Sequence, residues 1–298
     1  MRNNIYTNIV FAVTIVLLTS CSKFAQLQKN ATTDEKYEAA LEYYKKADYY
    51  HAGLLFEEIT PLLKGATQAE LSQFYNAYCN YHQGLYNMSQ YLFKNFYETF
   101  ARSDFAQEAT YMHAYSLYKD SPNSNLDQTS TLTAIADLQD FINVYPESPF
   151  RAECTKLILE LRDKLETKAF EKVKLYYKTS EFNIANYRSS VVTINNFLKE
   201  FPASRYNEEL HYLRVDAEYN LAKLSFKEKQ KERYEDLNKY YLLLVDKYPK
   251  SKYIPKVEKY YEVSQKELLA IATADKAEKE AKAAAKESKS GKLSTSSN

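Results

Sequence analysis

Apolar residues recur at helical spacing along most of this chain, and short segments of nearly the same sequence interrupt that spacing. Residues 141–150 (FINVYPESPF), 197–206 (FLKEFPASRY) and 244–253 (LVDKYPKSKY) each close an apolar stretch with an aromatic residue and a proline, and a serine precedes the next stretch. Residues 96–105 (FYETFARSDF) repeat the pattern with Ala101 in place of the proline. Such breaks between helical patterns predict a repeat protein built from helical hairpins.

The core positions of each predicted hairpin share one helical face. In each second helix a small or apolar residue is followed by large residues four and then three positions later, which places all three on the same side. A single hairpin cannot bury such a face, so hairpins must stack. We therefore predict an all-α fold, a superhelical array of about five tetratricopeptide-like hairpins. The predicted core residues are Ala40, Tyr43, Ala52, Phe56, Ile59, Phe93, Phe96, Ala134, Leu138, Phe141, Ile194, Phe197, Tyr241 and Leu244.

One interval between hairpins is unusually long. Residues 150–177 contain neither proline nor glycine and keep apolar residues at helical spacing. This favours one helix from Pro149 to about Thr179, and an interrupted pair of helices is the alternative. The predicted helix joins three N-terminal repeats, residues 34–148, to a C-terminal region, residues 149–271, that also holds repeats four and five and a terminal helix.

The N-terminus has the order of an export signal. Arg2 precedes an apolar run at residues 9–18, which is shorter than the roughly 20 residues that a membrane-spanning helix needs. The following Leu18-Thr19-Ser20-Cys21 resembles a bacterial lipobox, so we predict a lipoprotein signal peptide at residues 1–20, lipidation of Cys21 and an unstructured tether at residues 21–33. The alternative is an ordinary secretory signal in which Cys21 is incidental.

The C-terminal end differs in composition from the rest of the chain. Residues 272–298 are rich in lysine, alanine and glutamate and have almost no large apolar residue. Such a segment cannot bury a core, so we predict a solvated tail that can begin as a helix and is disordered at its end. Contact with anionic lipid or with an acidic partner is the alternative.

Composition narrows the classes of function. Four glycines and seven prolines among 298 residues are typical of a helical protein, and a formal net charge of +1 argues against a general nucleic-acid binder.

Cys79 and His82 are three residues apart and could share a metal ion, but two further ligands would have to come from elsewhere. Cys79 and Cys154 both fall in helical patterns, where burial as small apolar residues is expected. We predict no catalytic group, no metal and no cofactor.

Tyrosine is abundant, with 29 residues. Many must belong to the core, yet several occur in the first helices of the first three hairpins, which line the concave surface of tetratricopeptide arrays. Tyrosine offers a large contact area with few rotamers and a polar tip, which suits a groove that binds peptides. The predicted groove residues are Tyr37, Tyr44, Tyr78, Tyr81, Tyr111 and Tyr115.

The lipobox, the five hairpins and the aromatic-Pro-x-Ser segments together resemble the BamD family, the lipoprotein subunits of the outer-membrane β-barrel assembly machinery. The predicted long helix carries the most specific part, with Leu161-Arg162-Asp163-Lys164-Leu165 followed by paired tyrosines at Tyr176 and Tyr177. The similarity covers residues 37–269. The chain differs from the family in its excess of tyrosine, in Ala101, in a longer loop within the third hairpin and in the added tail.

This resemblance implies a lipid-anchored protein of the outer membrane that faces the periplasm. It further implies that the C-terminal repeats bind the periplasmic domains of BamA, the barrel-bearing partner. The N-terminal groove would receive the C-terminal strand signals of unfolded outer-membrane proteins, which end in aromatic residues.

Two other functions remain possible from the sequence. One is a nutrient-binding lipoprotein similar to SusD, although those chains are much longer and usually stack sugars on tryptophan, which is absent here. The other is a periplasmic tetratricopeptide scaffold for cell-wall coordination, although such scaffolds usually lack the lipid and the long helix. An enzymatic function is the least expected.

Overall fold

The computed structural model describes residues 23–294, with side chains through residue 283, and all regular secondary structure within that range is helical. The predicted signal peptide and Cys21 lie outside the described residues. Backbone contacts divide the chain into two compact units that meet between Leu165 and Glu166.

Unit 1 is a series of helices, and from the second to the seventh each packs against the next along the chain. Its first helix, α1, covers residues 23–30. The remaining elements are α2 (Thr33–Lys45), α3 (Tyr49–Ile59), a 3₁₀ turn (Thr60–Leu63), α4 (Gln68–His82), α5 (Tyr86–Thr99), α6 (Ala106–Asp120), α7 (Thr129–Val144) and the first half of α8 (Arg151–Thr179).

Unit 2 begins within α8, whose second half packs through Val173 against the next two helices. As predicted, α8 is one continuous helix and not an interrupted pair. It does not serve as a separate linker, because each half contributes to the core of its own unit. The other elements of unit 2 are α9 (Ala185–Glu200), α10 (Asn207–Lys223), α11 (Lys227–Lys247) and α12 (Ile254–Ser294).

The serine in each repeated segment has a structural role at the turn between helices. The hydroxyl oxygen of Ser148 accepts a hydrogen bond from the backbone N–H two residues later, at 3.2 Å, and Ser204 and Ser251 do the same at 3.0 and 3.3 Å. Ser103 repeats this bond at 3.0 Å in the segment that lacks proline. The serine therefore satisfies an N–H group that precedes the next helix, and the turn forms with or without proline.

The predicted core agrees closely with the structure. Twelve of the fourteen residues are buried, including Phe56, Phe93 and Phe96, which are completely inaccessible to solvent. Tyr43 and Tyr241 are only partly buried and pack against the edges of the core clusters. Their polar phenol ends account for this position, since a tyrosine places its ring against apolar groups and its hydroxyl toward water.

The expectation of an unstructured tether is wrong for residues 23–33. Residues 23–30 form α1, and Phe24 is buried against the rings of Tyr43 and His51, with centroid distances of 5.8 and 4.3 Å. The next helix then begins with a capping box, in which Thr32 and Glu35 each accept a hydrogen bond from the other's backbone N–H. Phe24 and the partly buried Leu27 attach this short helix to the core of the first hairpin.

The C-terminal tail is also more ordered than its composition predicted. Helix α12 continues through it to Ser294. From residue 272 to residue 283 the side chains are exposed, as expected for a segment without a core. Alanine, lysine and glutamate are strong helix formers, and pairs such as Lys282 with Glu278 support the helix along its surface.

Candidate binding surface

Aromatic side chains from α2, α4 and α6 form a continuous surface in unit 1. Tyr44 on α2 contacts Tyr75 on α4, with ring centroids 4.7 Å apart, and Tyr81 on α4 contacts Tyr115 on α6 at 5.9 Å. His82 joins the two parts, because its ring lies 6.3 Å from Tyr44 and 6.0 Å from Tyr78. We call this set the aromatic surface. It consists of Tyr44, Tyr75, Tyr78, Tyr81, His82, Tyr115 and Tyr118.

Two of the six predicted groove residues do not belong to this surface. Tyr37 is buried and meets Phe56 edge to face, and Tyr111 is buried with its ring stacked 4.2 Å from Phe150. Their rings fill the core between helices, so they cannot offer contact area to a ligand. The other four, Tyr44, Tyr78, Tyr81 and Tyr115, are partly exposed.

Carboxylates accompany the tyrosines where neighbouring helices meet. The phenol of Tyr78 on α4 donates a hydrogen bond to Glu108 on α6, and the phenol of Tyr118 on α6 donates to Glu160 on α8 at 2.7 Å. Burial and the bond to Glu108 raise the pKa of Tyr78 above its ordinary value, and the bond to Glu160 raises the pKa of Tyr118 to about 12. These phenols therefore stay protonated at neutral pH and act as hydrogen-bond donors.

A cation lies over one end of the aromatic surface. The ammonium group of Lys119 is 5.3 Å from the ring centroid of Tyr115 and 5.8 Å from that of Tyr118. Both distances fit cation–π interactions. The aromatic surface thus presents partly exposed rings, with two carboxylates that accept from its phenols and the ammonium group of Lys119 at one end, and this combination suits binding of a polypeptide.

The predicted groove did not include Tyr75, Tyr118, His82, Lys119 or the two glutamates. Tyr118 follows Tyr111 and Tyr115 at helical spacing, so the same spacing could have predicted it as a groove residue. Glu108 and Glu160 could not be assigned to their tyrosines, because 30 and 42 residues separate the partners along the chain.

Two of the three cysteines, Cys79 and Cys154, are buried and form no disulfide bond. Cys79 and Cys154 both carry free thiols inside core clusters, and burial raises the pKa of Cys79 to about 12 and that of Cys154 to about 11. His82, the other member of the possible metal pair, instead stacks on Tyr49 with ring centroids 4.1 Å apart. Cys79 and His82 therefore face different surroundings, and no group of three or more potential metal ligands occurs among the described residues.

In unit 2, tyrosines converge on one buried carboxylate. Asp216 on α10 accepts hydrogen bonds from the phenols of Tyr177 on α8 at 2.5 Å and Tyr260 on α12 at 2.9 Å, and Lys256 on α12 lies 3.0 Å away. Tyr212 adds a longer contact of 3.3 Å. We call these five residues the polar centre. It joins three helices through one fully paired charge.

The hydrogen bonds of the polar centre favour the protonated form of Tyr177 and the charged form of Lys256. Burial and the bond to Asp216 raise the pKa of Tyr177. Burial alone would lower the pKa of Lys256, but its bonds to Tyr212 and Asp216 raise that pKa above its ordinary value. At neutral pH, Lys256 therefore stays charged and Tyr177 stays protonated.

Among the described helices, none combines the length and the apolar character that a membrane span requires.

A family model named YfiO, described as an outer membrane lipoprotein, matches residues 29–192. The match covers more than half of the chain and runs from α1 into α9, so it includes the whole aromatic surface and all of α8. A search of curated proteins finds no match.

Proposed function

Because the chain belongs to the YfiO family of outer membrane lipoproteins, the family of BamD, we propose that it works in β-barrel assembly by binding unfolded outer-membrane proteins. This family consists of assembly factors that are not enzymes, so the proposal is one of binding and delivery. The same membership supports an assembly role over nutrient binding or cell-wall scaffolding.

The aromatic surface is the observation that carries the proposal. Its partly exposed rings can pack against the aromatic and aliphatic side chains of an extended strand, and its phenols and the neighbouring carboxylates can accept from the strand's backbone N–H groups. An unfolded barrel strand exposes both kinds of group and aggregates when they stay unpaired. Holding such a strand until delivery needs contact area and hydrogen bonds, which this surface offers.

We further propose that unit 2 contacts a barrel-bearing partner subunit similar to BamA through that partner's periplasmic domains. The polar centre supports this, because it fixes α8, α10 and α12 against one another and so keeps the exposed faces of unit 2 in a defined arrangement. A rigid surface loses little conformational entropy on binding.

The proposed location is the periplasmic face of the outer membrane, with acyl chains on Cys21 as the anchor. Two or three acyl chains hold a protein stably on a membrane, whereas one does so only marginally. Replacing Cys21 with Ala should move the protein from the membrane fraction to the soluble periplasmic fraction. Retention in the membrane at the wild-type level would show that another contact anchors it.

The binding function can be tested with a peptide that ends in an aromatic residue and copies the last strand of an outer-membrane protein. The triple variant Tyr44→Ala, Tyr78→Ala, Tyr115→Ala should bind it at least about tenfold more weakly, which corresponds to roughly 1.4 kcal/mol. Tyr91→Ala is the control, because Tyr91 is exposed on α5 outside the aromatic surface. Equal affinity of the triple variant and the control, measured by fluorescence anisotropy, would contradict the proposal.

A further inference from the structure

A cavity of about 260 Å³ in unit 2 contains a buried acid without a partner. Helices α9, α10 and α11 form its walls, and the lining residues include Val192, Asn195, Glu218, Asp236 and Tyr240. Glu218 is only 4% exposed. It has no hydrogen bond or ion pair to any residue that the structure describes.

The contrast with Asp216 shows that this is unusual. Asp216 lies two residues earlier on the same helix, is also 4% exposed, and is paired by the polar centre. Buried carboxylates are normally paired in this way, because an unpaired buried charge is costly. An unpaired carboxylate that lines a cavity therefore points to a ligand that would pair with it.

Two arginines near Glu218 donate their hydrogen bonds to other groups. Arg214 lies four residues before Glu218, at the spacing of a helical ion pair, but donates to Asn195 Oδ1 at 2.9 Å and contacts His211 Nδ1 at 3.0 Å. Arg233 donates to the Leu221 carbonyl at 3.3 Å and to the Ser225 hydroxyl.

The other charged groups of the wall leave the acid unneutralised. Lys229 is exposed and pairs with Glu232 at 3.3 Å, and Arg188 on α9 is exposed to solvent. Burial raises the pKa of Glu218 to about 7; Asp236 and Glu232 also raise it, and Arg233 opposes the increase. The charged groups around Glu218 therefore favour binding of an added positive charge.

We propose that this cavity receives the side chain of a lysine or arginine from a protein partner, which forms an ion pair with Glu218. The charge of the site selects a cation. An exposed apolar residue of the cavity wall selects a protein, since the side chain of Val192 is 52% exposed. A small cation would leave that side chain in water, whereas a protein segment would cover it.

This inference goes beyond the proposed docking of unit 2, because it specifies the chemistry of the contact and not the identity of the partner. It also predicts that binding becomes stronger from pH 6 to pH 8, as Glu218 loses its proton. The charged groups that line the cavity with Glu218 are Arg188 on α9 and Lys229, Glu232, Arg233 and Asp236 on α11. Of these, Asp236 and Glu232 raise the pKa of Glu218 and Arg233 lowers it.

The test uses the full-length lipoprotein in native membranes, with p-benzoyl-phenylalanine in place of Val192 as a photocrosslinker. We expect an adduct whose crosslinked segment contains lysine or arginine. Glu218→Gln should reduce its yield at least about tenfold, as expected for loss of a close charge pair. Glu235→Gln, an exposed change on α11, should leave the yield unchanged.

Unfolding of the variant cannot imitate this result. Glutamine keeps the shape of Glu218 without its buried charge, so Glu218→Gln should melt at a higher temperature than wild type at pH 8. The melting curve therefore accompanies the crosslinking experiment as a control for folding.

Three results would overturn the inference: an adduct that Glu218→Gln does not reduce, a crosslinked segment without a basic residue, or no adduct at all. The partner's identity separates this inference from the proposed function. An adduct with the barrel-bearing subunit through a basic segment supports both. An adduct with another protein through such a segment supports the cavity inference and counts against the proposed docking of unit 2.

Discussion

In unit 1 the phenol of Tyr78 donates to Glu108, a partly exposed side chain, whereas in unit 2 the phenols of Tyr177 and Tyr260 donate to Asp216, which is almost fully buried. The same pairing of tyrosine with a carboxylate thus occurs in two environments. On the aromatic surface the rings stay partly accessible and can exchange their contacts for those of a ligand. In the polar centre the pairing is enclosed and holds helices together.

The abundance of tyrosine therefore has two causes. A buried charge needs several donors at once, and tyrosines can supply these from different helices while their rings fill the core. An accessible surface needs rings with low rotamer entropy. The number of tyrosines alone cannot separate these uses, but the exposure of the carboxylate that each one contacts can.

The largest expected effect comes from breaking the polar centre. Asp216→Ala leaves three phenols and Lys256 without their shared acceptor, so we expect a loss of about 3 to 4 kcal/mol in the free energy of unfolding. Urea denaturation measures it. Asp246→Ala, at an exposed position on α11, serves as the control and should change stability by less than about 0.5 kcal/mol. Equal stability of the two variants would show that the centre does not hold the helices.

The second-largest expected effect concerns Glu218, the unpaired buried acid of unit 2, and distinguishes it from Asp216, the paired one. The pKa of Glu218 is about 7 in the folded protein, against an ordinary value of 4.5, so between these values the folded state holds a proton that the unfolded state has released. Wild-type stability should therefore fall, relative to Glu218→Gln, as the pH rises from 4.5 to 7.

Over this pH range, the free energy of unfolding of wild type should fall by roughly 3 kcal/mol relative to that of Glu218→Gln. Comparing the two proteins at pH 5 and pH 8 isolates the contribution of Glu218, because other titrating groups, such as His211, contribute equally to both. A difference that does not depend on pH would mean that Glu218 is not an isolated buried acid.

A third prediction compares the two phenols directly. Tyr177→Phe removes a donor to a buried charge and should cost about 2 kcal/mol, whereas Tyr78→Phe removes a donor to a partly exposed carboxylate and should cost less than about 1 kcal/mol. Tyr91→Phe, on the exposed face of α5, provides the baseline for loss of a hydroxyl. If Tyr78→Phe proved as destabilising as Tyr177→Phe, the aromatic surface would have to be regarded as part of the core.

The smallest expected effect concerns the end of α12. Within the stretch 276–298, the side chains that the structure describes, those of residues 276–283, are all exposed, so deleting this stretch should change the free energy of unfolding by less than about 0.5 kcal/mol. The helical signal in circular dichroism should decrease at the same time. A large loss of stability would show that the tail packs against the rest of the protein.

The sequence predicted the fold well because the repeated segments carry local information. Phe141 and Phe197 end helices on the core side, and the serine of each segment accepts an N–H bond that acts only two residues away. Such short-range patterns are visible without a structure. The burial of Phe24 was not visible in the sequence, because one aromatic residue in a polar stretch gives no periodic signal.

The candidate sites were less predictable because they depend on contacts between distant positions. Their place in the first helices of the hairpins predicted Tyr37 and Tyr111 as groove residues, but whether such a tyrosine faces a groove or a neighbouring helix depends on how the hairpins stack. Arg214 and Glu218 have the spacing of an ion pair, and yet Asn195 on another helix binds the arginine. In both cases tertiary packing overrides the local pattern.

The central claim is that the aromatic surface of unit 1, and not the polar centre of unit 2, binds an unfolded outer-membrane strand. Incorporation of 3-fluorotyrosine, with resonances assigned through single Tyr→Phe variants, makes both groups visible in one ¹⁹F spectrum. On addition of a strand peptide with an aromatic C-terminus, the signals of Tyr44, Tyr78 and Tyr115 should shift while those of Tyr177 and Tyr260 stay unchanged. Shifts confined to Tyr177 and Tyr260, or no shifts with saturating peptide, would contradict the account.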